Sequence, residues 1–217
     1  MIPVKVLVIG SNGQIGQKLI TLLHESKQHT VRAMIRKQEQ SKAYEDVGIE
    51  TVVADLEGSV DSIIEATQGC DAIVFTAGSG GKTGDDKTLL IDLDGAGKSI
   101  EAAEQASIKR FIMVSAIQAN HRDNWHEHIR PYYAAKHYAD KILKSSDLNY
   151  TIIRPGILLN EPGTGKVLAE SNITNGNIPR EDVARAILFA LDEPHTYKKE
   201  FDLIAGDLAM PEAFQKI

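Results

Sequence analysis

One cysteine, Cys70, stands in 217 residues, so no internal disulfide can form. The chain reads as a reduced, cytoplasmic protein in which Cys70 is a small core residue rather than a nucleophile. Long apolar runs are also missing: nothing approaches the roughly 20 residues that a membrane helix needs. The opening "MIPVKVLVIG" is a short strand-like run rather than a charged segment followed by a long apolar one, so no signal peptide is expected. Blocks of Lys and Arg are absent, and 24 basic against 30 acidic residues leave a net charge of −6. That balance argues against nucleic acid or an anionic membrane as partner and leaves a small molecule. There is no repeat, no low-complexity tract and no linker. With 42% hydrophobic residues, the length suits one large core and is short for two. A single domain over 1–217 is expected, with a small substrate-side portion from about residue 155 onward, as a monomer or homodimer.

What is present is alternation. Apolar β-rich runs lie at 4–10, 30–36, 50–55, 71–78, 110–116, 150–156 and 201–206. Helical periodicities fall between them, as in Ile15, Leu19, Leu22 and Leu23, and in Leu89, Leu93, Ala96, Ile100 and Ala103. Further helices are expected around 59–67, across Ala135, Ala139, Ile142 and Leu143, and over 180–191. Repeated strand-helix units predict an α/β fold: a doubly wound, mostly parallel sheet of about seven strands with helices on both faces. Ligands of such sheets bind beyond the carboxyl ends of the strands.

Two glycine-rich turns lie there. "GSGGKTG" (78–84) imitates a phosphate-binding P-loop, but the required G-x-x-x-x-G-K-[ST] would place its first Gly at position 76, which is Thr. The turn after the first strand, Gly10-Ser11-Asn12-Gly13-Gln14-Ile15-Gly16, reads G-x-x-G-x-x-G and opens an amphipathic helix. In this dinucleotide fingerprint Gly10 permits the tight turn and Gly13 the close approach of a pyrophosphate to the helix N-terminus. Gly16 permits close helix packing. The second strand ends in Arg36-Lys37, twenty residues after Gly16, where NAD proteins carry an acid. A guanidinium there suits the 2′-phosphate of NADP(H), with NAD(H) the weaker alternative, although Glu39 lies close. Asp55 could accept a hydrogen bond from an adenine amino group or cap the next turn.

On these residues the chain resembles the short-chain dehydrogenase/reductase superfamily. It is most similar to the atypical branch near the NmrA-like and sugar-epimerase-like proteins and the NADPH-dependent flavin and biliverdin reductases. The matching segments run through the whole chain in order: G-x-x-G-x-x-G at 10–16, Asp55-Leu56, "FTAGSGGKTG", and "DLDGAGKSIEAAEQASIKRFIMVSA" (92–116). Tyr132-x-x-x-Lys136, "YTIIRPG" and Arg180-Glu181-Asp182-Val183-Ala184 follow. The resemblance implies a Rossmann-type sheet and an NAD(P) cofactor. It makes Ala77, Gly78 and Ser79 a strap over the adenosine ribose and pyrophosphate, with Gly80, Gly81 and Gly84 a mobile flap to which Lys82 or Thr83 adds a phosphate contact. Leu56 joins the cofactor set, and Arg154, Pro155 and Gly156, at the end of the sixth strand, border the nicotinamide, terminate the strand, or do both.

The same resemblance gives Ser115, Tyr132 and Lys136 the catalytic places. Hydride transfer to a carbonyl leaves charge on oxygen, and a free phenol of pKa about 10 is a poor acid-base near neutrality. A Lys one helical turn away would favour the phenolate and hold the nicotinamide ribose, while Ser115 would hydrogen-bond the substrate oxygen. Tyr133 is also one turn from Lys136, so the register stays open. The superfamily's Asn on the preceding helix has no counterpart; Asp92 and Asp94 occupy that region. "ANHRDNWHEHIRPYY" (119–133) carries His121, His126 and His128, whose spacing fits no familiar zinc set; it reads as a polar substrate-side loop, and no metal is expected. The expected function is an NADP(H)-dependent oxidoreductase acting on a small carbonyl, quinone or flavin-like substrate. The alternatives are an NmrA-like NADP(H) sensor without turnover and, less favoured, an NAD-dependent epimerase/dehydratase, for which only about 60 residues after the sixth strand leave little substrate domain.

Overall fold

The computed structural model describes residues 3–217. Its strands in chain order are β1 (Val4–Ile9), β2 (His29–Ile35), β3 (Glu50–Val53), β4 (Ala72–Phe75), β5 (Arg110–Val114), β6 (Asn149–Pro155), β7 (Ile157–Leu159), β8 (Lys166–Glu170), β9 (Asn177–Pro179), β10 (Lys199–Ala205) and β11 (Leu208–Ala209). The helices are α1 (Gln14–Ser26), α2 (Lys42–Glu45), α3 (Val60–Thr67), α4 (Asp85–Lys87), α5 (Ala96–Gln105), α6 (Arg130–Ser145), α7 (Arg180–Asp192) and α8 (Met210–Phe214), with a π-helical segment, Thr88–Gly95, joining α4 to α5.

Nine strands form one sheet in the order β11-β8-β10-β6-β5-β4-β1-β2-β3. Pairing is parallel from β3 through to β10, while β8 runs antiparallel to both β10 and β11. The strands are buried on both faces because they alternate apolar with apolar. Val6 and Val8 of β1 enter one core with α1, α7 and α8; Leu7 and Ile9 enter the other with α3, α5 and α6. Each such fully buried side chain contributes about 1.5–3 kcal/mol. After β1 the chain moves one way to β2 and β3 and later the other way to β4. That reversal opens a crevice at the carboxyl ends of β1 and β4.

The expectation of about seven strands matches the parallel set and undercounts the whole. β8 and β11 extend the sheet, and β7 pairs β9 in a separate two-stranded ribbon. These additions are short, and the two residues of β11 or three of β7 carry too little alternation to register. The long regular helix expected from Leu89 to Ala103 is also corrected. The chain winds as π-helix to Gly95, leaving Leu89 56% exposed and turning Ile91 and Asp92 inward instead.

Candidate functional site

The crevice holds a cleft of about 390 Å³, walled by the β1–α1 turn, the ends of β2 and β3, and the segment after β4. Gly10 has φ of +88°, and a Cβ there would lie 2.5 Å from the Ala77 backbone N, so only glycine lets the strap pass. A Cβ on Gly16 would lie 2.2 Å from Gly10 O, which fixes this glycine as the contact between α1 and the turn. No side chain caps the N-terminus of α1, and its first turn carries no acid. The helix therefore presents free N–H groups and the positive end of its dipole to the cleft, which suits a pyrophosphate.

The predicted cofactor residues divide by what they offer. Gly10, Ser11, Asn12, Gly13, Arg36, Leu56, Ala77, Gly78 and Ser79 line the cleft. Ser11 offers backbone alone: its side chain is buried and donates to Met34 O. Tyr44 holds the turn from behind, donating to Ser11 O at 2.8 Å. Gln14 is exposed in the first turn of α1, and Ile15 belongs to the core. Asp55 caps the next turn, its Oδ1 accepting the Glu57 N–H at 3.0 Å. Pro155 and Gly156 do not line this cleft; a Cβ on Gly156 would lie 2.4 Å from Gly176 O, so the chain approaching β9 accounts for that glycine.

Sequence reasoning missed several walls of the cleft. Gln40 accepts the backbone N–H groups of Arg36 and Lys37, both at 3.0 Å, and shapes the rim on which the exposed Arg36 stands. Glu57 and Lys87, both lining the mouth, form an ion pair at 2.6 Å. Their separation in sequence gave no signal. Thr83 turns back to Ser79 O and Gly80 O, which folds the flap on itself, while Lys82 stays exposed and outside the lining.

At the other end of the strap stands α6. Tyr132, Lys136 and Asp140 fall at successive steps of four, on one face of the helix. Lys136 Nζ lies 5.7 Å from the Tyr132 ring centre, whereas Tyr133 stacks on Trp125, with ring centres 6.0 Å apart. The Trp125 indole N–H donates to Ala119 O, so the loop 119–129 is pinned to α6 through an aromatic cluster. The Lys136 ammonium is buried and meets three acceptors: Asp92 Oδ1 at 3.0 Å, Ala77 O at 3.3 Å and Val114 O at 3.4 Å. Burial alone would lower its pKa. Asp92, Tyr132 and Asp140 together outweigh burial and hold it above the ordinary lysine value. Burial also pushes the Tyr132 phenol up, and the pull of Lys136 is countered by Asp92. The expected tuning of Tyr toward phenolate is therefore corrected: Tyr132 stays protonated through the neutral range.

Two residues expected near the site lie deeply buried. Ser115 is 3% exposed, and its hydroxyl has no hydrogen-bond partner among the described residues. Arg154, at 1% exposure, is spent inside the fold: its Nε donates to Asp140 Oδ2 at 2.8 Å, and its Nη2 pairs with Glu200.

Comparisons with known proteins agree with this geometry. The family model for NAD(P)H-binding proteins matches residues 10–194. An uncharacterized sugar epimerase, YhfK of Bacillus subtilis, is 58% identical over 98% of this chain and 100% of its own. A Bacillus halodurans structure, provisionally described as an NAD-dependent epimerase/dehydratase, is 41% identical with a TM-score of 0.93, over 99% of this chain and 100% of that one. The anaerobillin reductase ChuY of Escherichia coli O157:H7 is 25% identical with a TM-score of 0.82, covering 94% and 98%.

Proposed function

Because this chain belongs to the NAD(P)H-binding family, we propose that it is an NADP(H)-dependent reductase of a small conjugated acceptor, a quinone, flavin-like ring or activated carbonyl. The observation that carries the reading is the 3.3 Å contact from Lys136 Nζ to Ala77 O, which brings the Tyr132–Lys136 pair to the end of the dinucleotide cleft. The β1–α1 turn and the uncapped α1 N-terminus fit a pyrophosphate, and Arg36 on the rim fits a 2′-phosphate. NADPH bound there supplies a hydride. Tyr132, protonated, gives the hydroxyl proton to an oxygen or nitrogen of the reduced acceptor, and Lys136 orients the ribose end of the cleft. A conjugated acceptor is favoured over a plain ketone. Asp92 already balances the Lys136 charge, so that ammonium has little left to polarise an unactivated carbonyl. The likeness to an anaerobillin reductase supports reduction of an extended conjugated system.

Epimerisation fits less well despite the relatives' names. Residues after β6 form β7–β11, α7 and α8, of which β8, β10 and β11 extend the sheet, so this segment is committed to the fold rather than to a lobe around a sugar nucleotide. A second reading, an NADP(H) sensor without turnover, draws on the same balanced Lys136 and buried Ser115. Steady-state NADPH oxidation beside direct cofactor titration separates the two for wild type and Tyr132→Phe. The reductase reading expects turnover of a quinone or flavin to fall about 10²–10⁴-fold in the variant with cofactor affinity kept. Binding of NADPH without oxidation by any acceptor favours the sensor.

A further inference from the structure

Asp92 is wholly buried, yet it carries a carboxyl group in the middle of a helical segment packed among apolar residues. A buried carboxylate persists where its partners compensate it. Here both oxygens are used on different elements: Oδ2 accepts the Ser79 backbone N–H at 2.9 Å, and Oδ1 meets Lys136 Nζ at 3.0 Å. Ser79 belongs to the strap after β4 and Lys136 to α6. The π-helical winding from Thr88 to Gly95 turns Asp92 into this gap, while Leu89, one turn earlier, is left at the surface. Such winding is rarer than α-helix and tends to mark functional positions. Three oxygens surround the Lys136 ammonium: Asp92 Oδ1 as an ion pair at 3.0 Å, and two backbone carbonyls at the longer range of 3.3 and 3.4 Å. A ribose hydroxyl entering the site can displace a carbonyl contact while the short Asp92 pairing keeps the ammonium in place.

We propose that Asp92 is a positioning residue for the cofactor: one oxygen aims Lys136 at the nicotinamide ribose, and the other holds the strap at Ser79. The inference rests on the reading of the cleft as an NADP(H) site. It separates the two ends of the cofactor. Asp92→Asn keeps an oxygen for the Ser79 N–H and loses the charge that holds Lys136; Asp92→Ala loses both.

Fluorescence titration of the full chain with NADPH, and competition by adenosine 2′,5′-bisphosphate, which lacks the nicotinamide end, read the two arms. Asp92→Asn should weaken NADPH about tenfold and leave the bisphosphate unchanged, the scale of one charge-assisted hydrogen bond. Asp92→Ala should weaken both. Lys136→Met should match Asp92→Asn, and the double variant Asp92→Asn/Lys136→Met should bind NADPH no worse than Lys136→Met alone. Should Asp92→Asn leave Lys136 buried without a partner and fail to fold, the double variant, with neither charge, decides by that last comparison. Multiplying losses in the double variant, or NADPH affinity unchanged in a folded Asp92→Asn, would overturn the proposal, because a residue serving only the fold has no reason to act through Lys136. Failure of the wild type to bind either probe would instead sink the cofactor reading itself.

Discussion

Arg36 illustrates how a single side chain sets a preference. It is exposed on the cleft rim, held there by a backbone N–H donated to Gln40. A charge-assisted hydrogen bond to a 2′-phosphate contributes about 1.5–3 kcal/mol, so Arg36→Ala should weaken NADPH roughly 10- to 150-fold and leave NADH unchanged by calorimetry. Equal losses for both cofactors would place the residue elsewhere in recognition. Single residues were also where the sequence was most and least legible. Gly10, Gly13 and Arg36 were readable because each obeys a local rule: a left-handed turn, a helix start, a strand end. Asp92 stood out only as a departure from a pattern, since its meaning depends on Lys136, 44 positions later, and on a helical winding that apolar periodicity does not encode. Arg154 misled for the same reason: its partner, Asp140, comes from another element.

At the scale of elements, the first turn makes two glycines do different work. A Cβ on Gly13 meets Gly10 O at 3.1 Å, a contact the turn can absorb, whereas on Gly16 it would meet the same oxygen at 2.2 Å. Gly13→Val should therefore remain folded by circular dichroism and lose NADPH binding. Gly16→Val should lose about 1–3 kcal/mol or more in urea unfolding, because α1 must move off the sheet. Helix α8 offers a pH-dependent case. The His195 ring bonds Phe214 O at 2.7 Å and pairs with Glu193. The carbonyl contact is the larger cause raising its pKa above the usual histidine value. A raised folded pKa means that the stabilisation is complete below the unfolded value and is lost as pH climbs through the folded one. Amide exchange in α8, corrected for the intrinsic rate, should quicken between pH 6 and 8 and cease to do so in His195→Asn. Elements of seven residues or more were legible in outline; β7, β9 and β11 were not, since two or three residues cannot show a period.

For the molecule as a whole, Asp140 and Arg154 form a buried junction between α6, β6 and β10, continued by Glu200 and Lys144 to the surface. Removing one partner strands the other charge, so Asp140→Asn should cost about 3–5 kcal/mol in denaturant unfolding. A loss below about 1 kcal/mol would mean that water reaches the guanidinium. The sheet's two ends carry another consequence. One outermost strand, β11, is two residues long; the other, β3, is four, with Glu50 engaged by Lys5 and Arg32. A chain that seeks to polymerise by adding strand to strand needs a long, flat, uncharged template, and these margins offer a stub on one side and an ionic fringe on the other. The same brevity that hid the last strand from the sequence thus serves as protection against runaway self-association.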